Sequence, residues 1–469
     1  MYLEAQYQSI DAGDVRQLYD QSSGSLTLRT KETQEPNIYA GYHHEWNPGM
    51  HTLFLAARLN DTLKINDPSS TVLFPRYAGG TVTSVSGEPF SVDYQSKFEA
   101  YSAELQQLWA VDKHTLIVGG RFQSGWSDTA DTLTRPNTLP PQTFPDEVHA
   151  DLQRLNFYSY YAWQILEPLQ LTAGVSYDRL YFPRNIDSPP LTDAQVTEDQ
   201  VSPKAGLIWT PWKYTTIRGA FTRSLGGVFY DNSVRLEPTQ VGGFNQAFRS
   251  VIPESVEGSI PGSKFETFDA ALDQKLPTGT YIGVIGEILY SKADASPGVF
   301  TNSIFIPVPD SPSSTREHLA FRERSLTLYA NQLLGDYFSI GASYKLTQAD
   351  LNDQFPDIPP GTVGYPGKDV RAFLHQVNLF ARFNHPCGLF SQIDTVWSQQ
   401  SNQGYSPDIP GDDFWQLNAF VGYRFLHRRA ELKLGLLNIT DQDYRLNPVT
   451  LYSELPRERT LAASFKFYF

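Results

Sequence analysis

The chain contains one cysteine, Cys387, and two methionines in 469 residues. A lone thiol forms no intrachain disulfide, so the fold does not depend on oxidative cross-linking. Long apolar runs are missing as well. No stretch reaches the roughly 18 residues that a spanning helix requires, because Gly, Gln, Ser or Arg interrupts each one. Charged residues make up only 19%, and 51 acidic against 37 basic side chains leave a net charge of −14. Phosphate backbones select clustered Lys and Arg, so this balance excludes a general nucleic-acid binder. The opening MYLEAQYQSI has neither the basic nor the apolar segment of a secretory signal.

Catalytic patterns are equally scarce. There is no Gly-rich phosphate loop and no nucleophile elbow, and the nine histidines are scattered. His43, His44 and Glu45 are consecutive, and consecutive strand residues face opposite sides, so they do not form one metal site. The expectation is a protein that is not an enzyme and carries no cofactor or metal.

What is abundant is aromatic side chains, at 13%, and alternation with a period of two. Leu169, Leu171, Ala173, Val175 and Tyr177 alternate with Gln170, Thr172, Gly174, Ser176 and Asp178. Trp415, Leu417, Ala419, Val421, Tyr423 and Phe425 form another such series, as do Ile282, Val284, Ile288 and Tyr290, and Leu53, Leu55, Ala57 and Leu59. One greasy and one polar face per strand is the pattern of a half-buried strand. About 18 segments of this kind lie between Gly24 and Phe469, many with the roughly 9–11 residues that a tilted strand needs to cross a bilayer.

Short and long connections alternate. Tight links fall at Asn47–Gly49, Val111–Lys113, Leu166–Pro168, Thr210–Trp212, Leu276–Gly279, Leu334–Asp336, Asn384–Gly388 and Leu426–Arg429. Between them lie polar segments rich in Pro, Asp, Ser and Asn, including 61–89, 127–150, 184–200, 226–262, 292–316, 352–369, 401–412 and 442–457. Turns that are short at one end and loops that are long at the other predict an all-β, antiparallel, up-and-down outer-membrane β-barrel of about 18 or more strands, with periplasmic turns and extracellular loops. Residues 1–23 are expected to form a partial early strand and a periplasmic turn, with GSLTLRT running outward after them, and residues 24–469 the barrel. The extra strand makes the count odd and predicts a piece of a larger barrel.

The C-terminal stretch LKLGLLNITDQDYRLNPVTLYSELPRERTLAASFKFYF carries Asn438, Ile439, Asp441, Tyr444, Pro448, Arg459 and Phe469 at positions that resemble the end of TonB-dependent outer-membrane receptors. VSPKAGLIWTPWKYTTIRGAFTRSL, with Pro203, Lys204 and Arg218, is similar to that family's mid-barrel hairpin. The resemblance implies a transport barrel in the outer membrane of a Gram-negative-type bacterium, taking up a siderophore complex, cobalamin or an oligosaccharide. It also implies that a plug domain, a TonB box and earlier strands lie upstream of Met1, and that the TonB system is a partner only with such a plug. Lipid, lipopolysaccharide and the barrel assembly machinery are the other expected partners. A plug-less passive or export porin and a structural or adhesive surface barrel remain as alternatives.

Candidate residues follow from this frame. With the apolar registers toward lipid, Arg121, Arg218, Glu287, Arg382, Arg424, Glu431 and Lys433 project into the lumen, either as a ladder for a ligand or plug or as pairs across neighbouring strands. The longest loop holds Tyr230, Arg235, Phe244, Asn245, Phe248 and Arg249, a mixture of rigid aromatics and donors that suits ligand binding or a loop folded on itself. Phe465, Phe467 and Phe469 end the last strand as an assembly signal. That strand is expected to pair with the first. The eight tryptophans, Trp46, Trp109, Trp126, Trp163, Trp209, Trp212, Trp397 and Trp415, fit interfacial girdles.

Overall fold

Alternation carries through almost the whole chain. The computed structural model describes residues 1–136, 140–227, 234–248, 256, 260–303 and 311–468. Nine strands come first: β1 (Tyr2–Ala12), β2 (Arg29–Asn47), β3 (Met50–Ala78), β4 (Thr81–Val111), β5 (His114–Arg135), β6 (Gln142–Leu166), β7 (Leu169–Asn185), β8 (Thr192–Trp212) and β9 (Thr215–Leu225). A two-residue pair, β10 (Gln240–Val241) and β11 (Phe244–Asn245), precedes β12 (Lys264–Lys275) and β13 (Thr280–Ala295). A second accessory hairpin is β14 (Gly298–Ser303) and β15 (Ser311–Ser314). The chain finishes with β16 (Glu317–Leu334), β17 (Phe338–Gln354), β18 (Lys368–Asn384), β19 (Leu389–Gln403), β20 (Asp413–Phe425), β21 (Ala430–Leu437) and β22 (Thr460–Phe467).

Each wall strand pairs antiparallel with the next, and the ladder passes from β9 to β12 and from β13 to β16 so that both accessory hairpins are skipped. The 20-stranded sheet without β14 and β15 leaves 18 wall strands in one meander. This corrects the odd count. GSLTLRT is not a separate outward strand: the chain enters β2 only at Arg29 and continues to Asn47, with an irregularity between Thr33 and Ile38 where Pro36 sits. A proline that cannot donate to the ladder is accommodated at such a bulge, which looks like a break in the sequence.

β1 is then the eighteenth strand, paired with β2 from Tyr2↔Gly41 to Ala12↔Thr30. Residues 13–28 therefore lie at the rim of the long segments, not at the short-turn rim expected for them. Tyr19 donates its hydroxyl hydrogen to the Pro410 carbonyl, and Arg445 pairs with Asp20 at 3.0 Å. Among the described residues β1 and β22 each pair on one side only, so the expected pairing of last strand with first is not among the ladders.

Seven of the eight tight links connect the strands as anticipated; Thr210–Trp212 instead ends β8, and the turn follows at Lys213–Tyr214. Gly49 shows why one of them needs glycine: its φ is +86°, and a Cβ there would sit 2.2 Å from the Ala110 carbonyl oxygen. Several long segments are not loops. Residues 61–89 continue β3 and β4 as a paired arm, with Asn66↔Asp93 and Ala78↔Thr81 in register. Alternating Val72, Phe74, Val82 and Phe90 drive this pairing within a composition that looks polar. The arm crosses the barrel mouth: β14 pairs in parallel with β3, and Val85 N–H donates to Val363 O at 2.8 Å. Phe74, Phe90 and Phe300 stack with ring centroids 5.3–5.9 Å apart.

The outer face is apolar where a bilayer would lie. Phe122, Phe157, Val175, Leu328, Ile393, Val421 and Leu434 are all exposed. Five tryptophans lie next to the short turns, and Trp126, Trp397 and Trp415 sit about ten residues further along their strands, the spacing of two girdles across an apolar band. Trp397 and Trp415 are direct cross-strand partners with centroids 6.1 Å apart. One register is the reverse of the sequence reading. Leu55, Ala57 and Leu59 point inward and are buried with Tyr39, Phe98, Leu180 and Leu225, while Phe54 faces out. Inward apolar residues are needed there because the long segments fold down over the inner wall and must pack on something.

Candidate functional site

The segment from Asn438 to Arg459 is a structural knot. Asn438 is fully buried with φ of +47°, a conformation that Asn tolerates better than most residues. Its amide donates to the carbonyls of Gln442 and Pro456 at 3.0 Å each, and its side-chain oxygen accepts the Gln442 N–H at 2.9 Å. Asp441 accepts the Arg459 N–H at 2.8 Å. Tyr444 stacks on Phe414, lies under Arg457 and donates to Leu455 O at 3.0 Å. These residues set the course of the loop from β21 to β22.

A dense polar assembly in the lumen forms around residues 234–248, a strap held against the inner wall of β4 to β9. Glu104 on β4 is buried and accepts three hydrogen bonds: from the backbone N–H groups of Leu236 and Glu237, at 2.9 Å each, and from the Tyr158 hydroxyl at 2.8 Å. Gln106 donates to Leu236 O at 2.6 Å. Lys204 on β8 donates to Gln246 at 2.7 Å and lies 3.6 Å from Glu237, which accepts from Tyr160 at 2.8 Å. Gln246 in turn donates to the Tyr160 hydroxyl at 2.9 Å. Beneath them Arg154 and Asn156 both bond Asp178. Buried donors and acceptors left unmade are costly, so a set this fully paired holds one strap conformation.

Glycines let the strap sit close. The β10–β11 turn carries Gly242 and Gly243, with φ of +58° and +79°. A Cβ on Gly242 would stand 2.3 Å from Gly219 O, and one on Gly206 would stand 2.6 Å from Gly242 N. Both wall glycines lie only a few residues from the Trp212–Thr215 turn, so the strap descends deep into the barrel. Its Leu236 packs on the inward apolar cluster.

The residues singled out from sequence divide. Arg218 joins the strap: it pairs with Asp273 at 2.9 Å, donates to Gly243 O at 3.0 Å and lies over the Phe244 ring. Arg235 lies 4.1 Å over Phe248, and Asn245 accepts from Gln240 at 2.9 Å. Tyr230 and Arg249 lie outside the described residues. Arg121 is buried inward, directly across from Glu104 in the ladder. The remaining lumen residues are not brought together with the strap. Arg424 pairs with Glu431 at 2.8 Å, Arg382 and Lys433 cover Phe380 and Phe420, and Glu287 accepts from Ser325 at 3.3 Å. Phe465 and Phe467 are exposed on β22, and Phe469 lies outside the described residues. Among the described residues no three His, Cys, Asp or Glu side chains converge as a metal site.

Glu104, Gln106, Tyr158, Tyr160, Glu237 and Gln246 were not found by sequence reasoning, and Lys204 was noted only for the hairpin it resembles. The wall members all sit on the polar side of their strands, which was a usable signal; the strap members carried none.

An antiparallel meander with one apolar outer band, short turns at one rim and long segments folded into the lumen from the other describes a barrel of the outer-membrane type. The family model described as TonB dependent receptor-like, beta-barrel, matches residues 3–253, more than half of the chain. The chain belongs to this family. Its barrel is similar in fold to the ferric citrate transporter FecA in the unliganded form, at 16% identity, with 99% of this chain and 67% of that one covered and a TM-score of 0.60. It is also similar to the siderophore receptor PiuA from Acinetobacter baumannii, at 13% identity over 99% of this chain and 71% of that one, with a TM-score of 0.58. The ferric yersiniabactin uptake receptor FyuA from Yersinia pestis matches at 10% identity over 94% and 62%, with a TM-score of 0.55. No curated protein sequence matches the barrel. The family and these neighbours are outer-membrane transport receptors, not enzymes.

Proposed function

We propose that this receptor barrel takes up a scarce ligand across the outer membrane of a Gram-negative bacterium, with lipopolysaccharide around it and energy supplied through TonB. The three structural neighbours act on ferric citrate, a siderophore and ferric yersiniabactin. A metal chelate is therefore the first ligand to test, with cobalamin and oligosaccharides beside it. The observation that supports uptake over an open passive pore is the strap: a segment tied to Glu104, Lys204 and Arg218 narrows the lumen. Phe465 and Phe467 are assigned to recognition by the barrel assembly machinery.

The test is ligand-limited growth of cells that depend on the full-length protein, supplied with ferric siderophores, cobalamin or oligosaccharides. Growth on one ligand that disappears when TonB is removed supports the proposal. Uptake that persists without TonB would assign the protein to the passive pores.

A further inference from the structure

Beside the apolar cluster on which the strap rests, the inner wall of β2 to β4 bounds a half-enclosed cavity of about 750 Å³. It lies toward the rim of the long segments and is roofed by Asp14 to Arg16 and by Asp187 and Pro189. A volume of this size suits a small organic ligand, which such sites hold by apolar walls and a few placed polar groups. The walls here are Tyr39, Leu59, Ile65, Tyr94 and Phe98.

The charged lining is one-sided. Among the described residues Asp14, Glu32, Asp61, Asp67 and Asp187 face a single cation, Arg16. That arginine is already engaged, with Nε 2.8 Å and a terminal nitrogen 2.6 Å from the two Asp14 carboxylate oxygens. It holds the Asp14 carboxyl well below its ordinary range and leaves the lining with an excess of negative charge. On the strap side charges are close to balanced: Arg154 pairs with Asp178, Lys204 with Glu237 and Arg218 with Asp273, and Arg121 lies across from Glu104. The excess of carboxylates in this cavity disfavours an anionic ligand and favours a cationic one.

We infer that the cavity between β2, β3 and β4 is a binding site for an organic cation with a flat apolar body. The carboxylates Glu32, Asp61 and Asp67 supply the counter-charge, and the apolar lining from Tyr39, Leu59, Ile65, Tyr94 and Phe98 supplies contact for the ligand's frame. The site rests on the uptake reading only for the side from which its ligand arrives; binding itself is independent of transport.

Two xanthene dyes of similar frame and opposite charge test this: rhodamine 6G, a cation, and fluorescein, an anion. Fluorescence anisotropy is measured on the whole chain in lipid nanodiscs, with empty discs subtracted. The expected result is saturable binding of rhodamine 6G that weakens by about tenfold or more in the Glu32→Gln/Asp67→Asn double variant, since two attractive charges at close range are removed. Both replacements keep shape, and the amide oxygen that Asp67→Asn introduces still accepts the Ser69 N–H, which Asp67 holds at 3.0 Å. Leu63→Trp, which fills the cavity without altering charge, is expected to abolish binding and serves if the double variant does not assemble. Equal or tighter fluorescein binding, no saturable binding of either dye, or rhodamine binding unchanged in the variants would overturn the inference. Uptake assays remain a separate readout, so a failed transport reading leaves the binding result interpretable.

Discussion

Replacing Glu104 by alanine should release the strap. The carboxylate accepts two consecutive backbone N–H groups and one tyrosine hydroxyl, all at 2.8–2.9 Å, in a place only 2% exposed. Hydrogen bonds to a charged group are each worth about 1.5–3 kcal/mol. Water entering from the lumen re-solvates part of what is lost, so about 3 kcal/mol is the reasonable net cost, less than the sum of the three. At about 1.4 kcal/mol per factor of ten, that is roughly a hundredfold rise in the open population of the strap.

Hydrogen exchange of peptides covering residues 234–248, followed by mass spectrometry on the chain in nanodiscs, reads this directly, because exchange of such a segment follows its local opening free energy. Peptides from β16 to β19 serve as the internal reference and should not change. Glu104→Gln keeps an acceptor and should fall between the two. If the strap amides of the alanine variant exchange within about threefold of the parent, the clamp does not hold the strap and the reasoning fails.

Three further outcomes are expected. Gly242→Val places a side chain against Gly219 O in a left-handed conformation, so the strap should lose protection as in Glu104→Ala while the wall stays intact by the same exchange measurement. Asp131, beyond the membrane band on β5, faces Asp146 directly across the ladder; burial first, then Asp146 and Asp93, raise its carboxyl from 3.8 to about 7. Its folded value is above the unfolded one, so the folded state binds the extra proton and local stability falls as pH rises from about 4 to 7. The loss is complete above 7 at about 4 kcal/mol. Exchange of residues 128–134, corrected for intrinsic rate, should quicken between pH 5 and 8, and Asp131→Asn should flatten that dependence. Phe465→Ala combined with Phe467→Ala should lower the amount of heat-modifiable barrel recovered from outer membranes severalfold, with the strap peptides of the surviving fraction unchanged.

Much of the wall was legible beforehand because period-two alternation is a local property. β7, β13 and β20 show it in their own residues, and the eight short turns stand out because they separate long apolar stretches. The parity of Arg218, Arg424 and Lys433 was readable for the same reason. β3 shows the limit. Leu55, Ala57 and Leu59 alternate as a lipid-facing row would, yet they face inward, because what covers them is a long segment from elsewhere in the chain. The arm at residues 61–89 was hidden by its polar composition, and the single-strand course of β2 by Pro36.

The amino-acid sequence by itself determined the antiparallel wall, its turn and loop rims, and the apolar and polar sides of most strands, since each depends on residues within a few positions of one another. Only the tertiary structure decided that Glu104, Tyr160, Lys204 and Arg218 act together on one strap, and that β2 to β4 enclose an acidic cavity. Those arrangements depend on where the long segments fold back, and the partners that position them lie on strands far apart in the chain.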